Sequence, residues 1–402
     1  MNTDQLLAIL ESELQRTIPN VDIKILKINK INTVVNSNLR LMGDAFTKGK
    51  YKNLSADNYL GFNPVRLNLL RNGNPSHLDL VVKGHPPGMF TENVYPHMLE
   101  HFKINLSQAI ENTFVHREFK HLFANEYYHY ELQHHYPIFA SYCPKYYGRY
   151  WDKETDETFV FLELVKEMTH LNDLSGVEQW DKELFAATMQ GIAHLHQPFY
   201  NKPELLSSIE PNILGPFNQQ DFYSSVELWE QFAFNLKRSF PDLVDDTFYA
   251  SHLALIKDIP NWYPVMDESA KTIIHSDYNP RNIGFRTLHS KPSVVILDWE
   301  CVRWDIPQYD IAQFILYAAK PHNIVEFSSY YLELYRVYFE SISGLSIDKT
   351  NWFLGFQAAI RSHLIDRAPL LALIFVVYPG AEFNIGTLMY QNAKTLLNAW
   401  QS

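Results

Sequence analysis

The residues of this chain that could do chemistry are densest in His275–Asn282, which reads HSDYNPRN. Asp277 and Asn282 are separated by four residues within a segment that contains Pro280. A compact proline-bent loop of this kind can place a carboxylate and an amide oxygen on the same side. Asp298 follows sixteen residues after Asn282, directly after the apolar run VVIL, and supplies a second carboxylate. These three side chains are the first candidates for a common site.

Two carboxylates and one amide oxygen form a donor set that suits Mg²⁺, which prefers hard oxygen ligands and completes its shell with water and phosphate. The same set leaves one carboxylate to accept a proton from an attacking hydroxyl, which is the division of labour in phosphoryl transfer. The simpler interpretation is a turn held by local side-chain hydrogen bonds. The carboxylate of Asp298 at a strand end favours the metal interpretation.

The elements that must position these residues divide the chain into two parts. Period-two alternation predicts a strand over 21–42. Strand-like runs cover 64–70 and 77–83, with the turn pair Asn72-Gly73 between them, and a continuous apolar run at about 157–165 suits a buried strand. A helix is predicted over about 105–135, and helices dominate after Trp180, interrupted by strands near 272–285 and 293–300. We therefore predict a two-lobed α+β protein, with lobes of 1–165 and 166–402.

Composition excludes several function classes. The chain has 402 residues, of which 46% are hydrophobic and only 20% charged, so disordered and coiled-coil proteins are excluded. Its formal net charge of −11 provides no basic field for binding nucleic acid. No run approaches about 18 apolar residues, so no membrane span is expected. We predict a cytoplasmic protein in which Cys143 and Cys301 are reduced core thiols; its oligomeric state is left open.

Three motifs together resemble one family. The pattern H-x-D-x4-N at 275–282, ILDWE at 296–300 and PQYDIA at 307–312 are similar to those of the aminoglycoside phosphotransferase and choline kinase-like family, which has a protein-kinase-like fold. The resemblance implies a bilobal fold with a small β-rich nucleotide-binding lobe that contains one key helix, and a large helical lobe that binds the acceptor. It also implies ATP and Mg²⁺ as cofactors and transfer of the γ-phosphate to a hydroxyl of a small molecule.

The same resemblance implies a role for each matching residue. Asp277 resembles the catalytic base, and Asn282 and Asp298 resemble the Mg²⁺ ligands. His275 and Asp310 resemble residues that brace the catalytic loop without reacting. Glu300, which follows two residues after Asp298, is a candidate to meet the acceptor, and bracing of the loop is its alternative role.

The nucleotide phosphates need a cation, and Lys83 at the end of the strand LDLVVK is the candidate. Glu126, on the helix predicted over 105–135, would hold that lysine, with Glu118 and Glu131 as alternatives one or two turns away. A strand-end lysine that only extends into water is the alternative for Lys83.

Two further nucleotide contacts follow from the resemblance. The backbone of Glu163 and Val165 corresponds to the inter-lobe hinge that binds the adenine edge. No G-x-G-x-x-G is present, and Ser55 and Asn58 in the polar stretch SADNYLG are the candidates for covering the phosphates. The absent glycine motif is the one departure from protein-kinase loops.

Some assignments stay open in the sequence. Trp304, Tyr309, Trp352 and Phe356 could form a cage for a quaternary amine, although core packing is the commoner use of such residues. Arg361, Asp366 and Arg367 could line the cleft or form a solvated face. Two other functions also remain: a non-catalytic nucleotide-binding or scaffold protein, and a kinase-fold enzyme that transfers the nucleotidyl group.

Overall fold

The structure is a computed structural model that describes residues 3–31, 59, 61–85, 94–108, 110, 122–152, 154, 157–169, 177–208, 218–288, 291–378 and 385–401. Its first part contains a five-stranded antiparallel sheet. The strands are β1 (Ile23–Lys30), β2 (Gly61–Arg71), β3 (Asn74–His85), β4 (Tyr146–Asp152) and β5 (Glu157–Glu163), in the spatial order β1-β2-β3-β5-β4. The predicted strand over 21–42 is thus present over 23–30, and 32–42 lie outside the described residues.

The β2–β3 hairpin fixes which face of the sheet carries Lys83. Asn72 and Gly73 form the turn, with φ of 51° and 78°, which is the left-handed backbone that Asn-Gly pairs adopt most readily. Because side chains alternate along a strand, Leu80 and Val82 point to one face of β3 and Lys83 points to the other. This places the ammonium of Lys83 on the face opposite to the small apolar core.

An amphipathic helix covers that apolar face. Helix α1 (Thr3–Thr17) repeats leucine every four residues, and Leu6, Leu10 and Leu14 are fully buried against the sheet. Its polar side chains also bind strand ends, because the carboxylate of Glu11 accepts a hydrogen bond of 2.6 Å from the backbone amide of Ile25. The sheet is therefore held rigid from behind.

The segment between β3 and β4 departs from the predicted single helix over 105–135. It contains α2 (Tyr95–Phe102), α3 (Leu122–Glu131) and α4 (Ile138–Tyr142). Lys103 ends α2 in a left-handed conformation with φ of 54°, and residues 104–107 are not helical. Residues 108, 110 and 122–131 are helical, as predicted. Helix α2 was not predicted, because Pro96 in its first turn reads as a helix breaker.

The second part is mostly helical. Its helices are α5 (Lys182–His196), α6 (Gln219–Ser224), α7 (Val226–Ser239), α8 (Asp246–Lys257), α9 (Ile259–Trp262), α10 (Pro264–Glu268), α11 (Gln308–Ala318), α12 (Ile324–Ser343), α13 (Lys349–Ile365), α14 (Arg367–Val377) and α15 (Ile385–Gln401). Two small antiparallel pairs complete it: β6 (Thr272–Ile274) with β9 (Arg303–Asp305), and β7 (Ile283–Leu288) with β8 (Lys291–Ile296). The predicted α+β fold class is confirmed. None of the helices in the described part of the chain has the length and apolar character to cross a membrane.

Close packing of α5 fixes the β7–β8 hairpin. A Cβ built on Gly191 would lie only 2.1 Å from Cγ1 of Val294 in β8, so a side chain there would push the strand away. The missing side chain of Gly191 thus lets the backbone of α5 lie close to the sheet. Asn282 directly precedes β7 and Asp298 follows shortly after β8, so both residues lie at the open end of this hairpin.

Buried neutral histidines make the fold sensitive to acid. Burial lowers the pKa of His252 and of His363 to about 3, whereas an exposed histidine in the unfolded chain titrates at about 6.5. Below pH 6.5 the unfolded chain therefore binds protons that the folded chain does not, so the free energy of unfolding decreases as the pH is lowered. We expect each histidine to contribute a slope approaching about 1.4 kcal/mol per pH unit in urea unfolding between pH 6 and pH 4.

The variant His252→Gln tests this expectation, because glutamine does not titrate and can still bond to the hydroxyl of Tyr390, which lies 2.8 Å from Nδ1 of His252. It should flatten the slope by about one histidine's contribution. The exposed His322→Gln is the control and should leave the slope unchanged. An unchanged slope for His252→Gln would contradict the assignment.

Candidate active site

The loop that follows β6 is held by one buried carboxylate. Asp310, in the first turn of α11, accepts hydrogen bonds of 2.7 Å from the backbone amides of both His275 and Ser276. Nε2 of His196 lies 3.1 Å from the same carboxylate. Ser276 takes a left-handed conformation with φ of 60°, which costs a non-glycine residue of order 1 kcal/mol and needs such support. This geometry supports the bracing role predicted for Asp310.

His275 links the loop to the end of β8. Its Nδ1 accepts a hydrogen bond of 3.2 Å from the amide of Asp277, which leaves Nε2 to donate to the carbonyl of Leu297 at 2.8 Å. The imidazole thereby links Leu297, which precedes Asp298, to Asp277. Its position fits the predicted bracing role.

Asp277 presents its carboxylate to three side chains. Asn282 donates to Oδ2 at 2.9 Å, Arg367 donates to Oδ1 at 3.1 Å, and Gln313 lies 3.5 Å from Oδ1. Burial raises the pKa of this carboxyl, but the charges of Arg367, Arg281 and His275 outweigh burial and hold the pKa below its ordinary value. Asp277 is therefore an oriented, ionised carboxylate that is still 15% exposed.

Asp298 lies beside Asn282 because of the β7–β8 pairing. The amide of Leu297 donates to the carbonyl of Asn282 at 2.8 Å, so the next residue, Asp298, lies next to the end of the 275–282 loop. Asp298 has φ of 64°, in the left-handed region that Asp and Asn tolerate better than other side chains. The strand pairing and this turn bring together residues that are sixteen positions apart in sequence.

Lys83 meets this group from the sheet. Its Nζ lies 2.8 Å from both carboxylate oxygens of Glu126, contacts Oδ1 of Asp298 closely, and is 3.7 Å from Glu300. Burial alone lowers the pKa of this ammonium, but the three carboxylates reverse the effect and raise the pKa well above its ordinary value. The lysine is therefore a fixed cation in a cleft, and not a solvated strand end.

Glu126 is the acid of α3 that faces the cleft. Glu131, the alternative one turn later, instead lies 3.1 Å from the guanidinium of Arg149 and accepts from the hydroxyl of Tyr146. Glu118 lies outside the described residues. The structure thus brings Lys83 and Glu126 together as the sequence predicts.

Asn282 and the carboxylates of the cleft carry oxygen atoms of the kind that bind Mg²⁺. Glu126, Asp298 and Glu300 can each place one carboxylate oxygen within 4.8 Å of the others, and they surround Lys83. Asn282 donates through Nδ2, so its Oδ1 is the atom left to accept from or coordinate a cation. Burial, and next the charge of Asp298, raise the pKa of Glu300 well above its ordinary value. Carboxylate and amide oxygens of this kind are the ligands that Mg²⁺ prefers.

A histidine–tryptophan stack joins α3 to the Asp298 turn. The ring of His129 lies parallel to Trp299, with centroids 3.5 Å apart and planes inclined by 9°, and His275 packs near the same indole. Both nitrogens of His129 are buried and have no hydrogen-bond partner in the described part of the chain, and burial lowers the pKa of His129 well below its ordinary value. The helix that carries Glu126 and the turn that carries Asp298 are thus packed as one unit.

We expect His129→Phe to raise the free energy of unfolding by about 1 kcal/mol, because an apolar ring of similar shape removes two unsatisfied buried nitrogens and keeps the stack. The comparison variant is His252→Phe, which should destabilise because it leaves the hydroxyl of Tyr390 without its partner. Urea unfolding of both variants at pH 7.5 measures the difference. Destabilisation of His129→Phe by as much as His252→Phe would show that His129 has a polar partner.

The structure corrects or leaves open the remaining candidates. Trp304, Tyr309, Trp352 and Phe356 are buried in the main core, so the cage interpretation is not supported and core packing is. Arg367 lines the cleft, and its Nη2 lies 3.9 Å from Sγ of Cys301. Cys143 is buried, as predicted, whereas Cys301 is only partly buried and is therefore not a core thiol. Ser55 and Asn58 lie outside the described residues. Glu163 and Val165 lie at the end of β5, where the amide of Glu163 already donates to Lys145.

The sequence did not single out Gln313, His129 or Tyr317, which the structure brings near the loop or its supports. Gln313 follows Asp310 by three residues on α11, and its Oε1 accepts from the amide of Tyr278 at 2.8 Å. That spacing places both side chains on one helix face, which is the signal that could have identified Gln313. The unpartnered nitrogens of His129 leave no such pattern.

The chain is similar to known proteins in sequence and in fold. Residues 182–340 match the sequence profile of the phosphotransferase enzyme family, and this match contains Asp277, Asn282, Asp298 and Asp310. The resemblance predicted from the motifs is therefore confirmed over this segment. No curated protein matches the sequence.

Several solved structures are similar over most of the chain at low identity. Choline kinase LicA from Streptococcus pneumoniae is 14% identical, with 98% of this chain and 99% of that chain covered and a TM-score of 0.40. The GDP complex of aminoglycoside 2'-phosphotransferase-IIIa is 11% identical, with 92% and 97% covered and a TM-score of 0.43. An ethanolamine kinase from Plasmodium vivax is 12% identical, with 85% and 79% covered and a TM-score of 0.43.

Proposed function

Because residues 182–340 match the phosphotransferase enzyme family, we propose that this protein is an ATP- and Mg²⁺-dependent phosphotransferase that acts on a hydroxyl of a small molecule. One observation carries the proposal. Lys83 is held by Glu126 and projects from the sheet onto Asp298. The pairing of β7 with β8 places Asp298 beside the loop that carries Asp277 and Asn282. Positioning and charge neutralisation of this type supply most of the catalysis in phosphoryl transfer.

Each residue then has one task. Lys83 binds nucleotide phosphate oxygens, and Glu126 orients Lys83 through the contacts at 2.8 Å. Asn282 and Asp298 would hold Mg²⁺, which supplies charge neutralisation at the phosphates when it is bound. Asp277 orients the acceptor hydroxyl and accepts its proton. His275 and Asp310 keep the loop in the required conformation.

The sheet-side contacts of the nucleotide remain predictions. The backbone near Glu163 and Val165 would bind the adenine edge, and Ser55 and Asn58 would cover the phosphates. The division into 1–165 and 166–402 would separate the nucleotide-binding lobe from the lobe that binds the acceptor. Cytoplasmic location likewise stays a prediction from composition.

The experiment that tests the proposal measures ADP formation by the purified protein with ATP, with and without Mg²⁺. The acceptor panel contains amino alcohols, aminoglycosides, sugars, nucleosides and hydroxy acids. Acceptor-stimulated, Mg²⁺-dependent ADP formation supports the proposal. Binding of nucleotide without turnover would favour the scaffold function, and a product whose mass increases by AMP would favour nucleotidyl transfer.

A further inference from the structure

Two arginines flank the carboxylate of Asp277. Nη2 of Arg367 lies 3.1 Å from Oδ1, and the side chains of Arg367 and Asp277 are each 15% exposed, so both reach the cleft. Arg281 belongs to the same loop and its charge acts on Asp277. Its Nε lies 3.3 Å from Oδ1 of Asn279, while its two terminal nitrogens have no hydrogen-bond or ion-pair partner among the described residues.

A buried phenol with an open hydroxyl lies in the same group. Tyr317 is only 3% exposed, and its hydroxyl has no hydrogen-bond partner among the described residues. It follows Gln313 by four residues on α11, so it lies one turn further along the helix face that contacts Asp277. Burial raises the pKa of this phenol, and the charges of Arg281, Asp277 and Arg367 act on it next.

Two cationic side chains lie on the Asp277 side of the cleft. The guanidinium of Arg367 pairs with Asp277, and the charge of Arg281 acts on the same carboxylate. The other acids of the cleft, Glu126, Asp298 and Glu300, are gathered around Lys83. A cationic amine placed next to Asp277 would therefore meet two guanidinium groups, whereas an anion would be neutralised by the planar donors that fit carboxylates best.

We propose that Arg281, Arg367 and Tyr317 form an acceptor subsite for a hydroxy acid, an alcohol that carries a carboxylate close to the reacting hydroxyl. The inference rests on the proposed function and names its substrate class. The acceptor oxygen forms a bond to the γ-phosphorus of ATP while the bond from that phosphorus to the bridging oxygen of ADP breaks. The hydroxyl proton passes to Asp277, and the acceptor carboxylate stays bound to the guanidinium groups.

Three matched three-carbon polyols provide the test: glycerate, which is anionic, glycerol, which is neutral, and serinol, which is cationic. Binding is measured by calorimetry with the nucleotide site filled by Mg²⁺ and a non-hydrolysable ATP analogue, so that the probes cannot occupy the phosphate site. We expect glycerate to bind at least ten times more tightly than glycerol or serinol. Arg281→Gln should weaken glycerate binding about tenfold, with the exposed Arg238→Gln as the control variant.

Retained affinity for the ATP analogue shows that Arg281→Gln is folded, and Tyr317→Phe provides a second variant that removes only the open hydroxyl. The inference is overturned if serinol or glycerol binds as tightly as glycerate, if glycerate does not bind at tens of millimolar, or if Arg281→Gln leaves its affinity unchanged. The proposed function fails separately, through absent Mg²⁺-dependent nucleotide binding and absent ADP formation with every acceptor class.

Discussion

Replacing Asp277 with Asn is expected to lower acceptor-dependent ADP formation by about 10²–10⁴-fold, the usual effect of removing a positioned base. Asparagine has nearly the same size as aspartate, but its neutral carboxamide cannot accept the hydroxyl proton. Asn282, which donates to that oxygen at 2.9 Å, loses its charged acceptor as well. Steady-state and single-turnover measurements at saturating Mg²⁺ and ATP isolate this chemical step.

Nucleotide binding separates this effect from misfolding. The dissociation constant of the Mg²⁺–ATP analogue should change less than threefold, since Lys83 and Glu126 do not contact Asp277 in the structure. Asp242→Asn, on an exposed aspartate far along the chain, is the control and should retain full activity. Turnover of Asp277→Asn within tenfold of the wild type would exclude Asp277 as the base.

Residues that share a short loop or a regular element could be placed from the sequence. The H-x-D-x4-N spacing is local, so Asp277 and Asn282 had to lie near one another, and strand periodicity put Lys83 at a strand end. The prediction of Glu126 required only that a helix follow this strand. Their meeting in the structure, with Nζ of Lys83 at 2.8 Å from Glu126, depends on the resemblance more than on any local pattern.

Contacts that depend on tertiary packing were not predictable in the same way. Arg367 was left open between the cleft and a solvated face, because it lies ninety residues after Asp277 and nothing local to α14 indicates that its guanidinium reaches the loop. The stack of His129 on Trp299 and the open hydroxyl of Tyr317 are likewise determined by how helices pack, because each residue by itself reads as ordinary core. Helix α2 was missed because prolines that start helices also break them.

Replacing Asp298 with Asn should have the largest effect of all on Mg²⁺-dependent turnover, of at least about a thousandfold, because a metal that neutralises phosphate charge contributes several kcal/mol to the barrier. Folding should be retained, since asparagine tolerates the left-handed backbone that Asp298 adopts at φ of 64°. Lys83 also keeps Glu126 at 2.8 Å as its partner when the charge of Asp298 is removed.

The comparison variant Glu126→Gln distinguishes loss of metal from loss of the lysine partner. For the wild type, Mg²⁺ should tighten binding of the ATP analogue relative to EDTA. Asp298→Asn should abolish that difference, whereas Glu126→Gln should weaken binding in both conditions and keep the difference, because Glu126 acts through Lys83. If Asp298→Asn still responds to Mg²⁺, the metal is held elsewhere, and the carboxylate of Asp298 serves only to pair with Lys83 across the cleft.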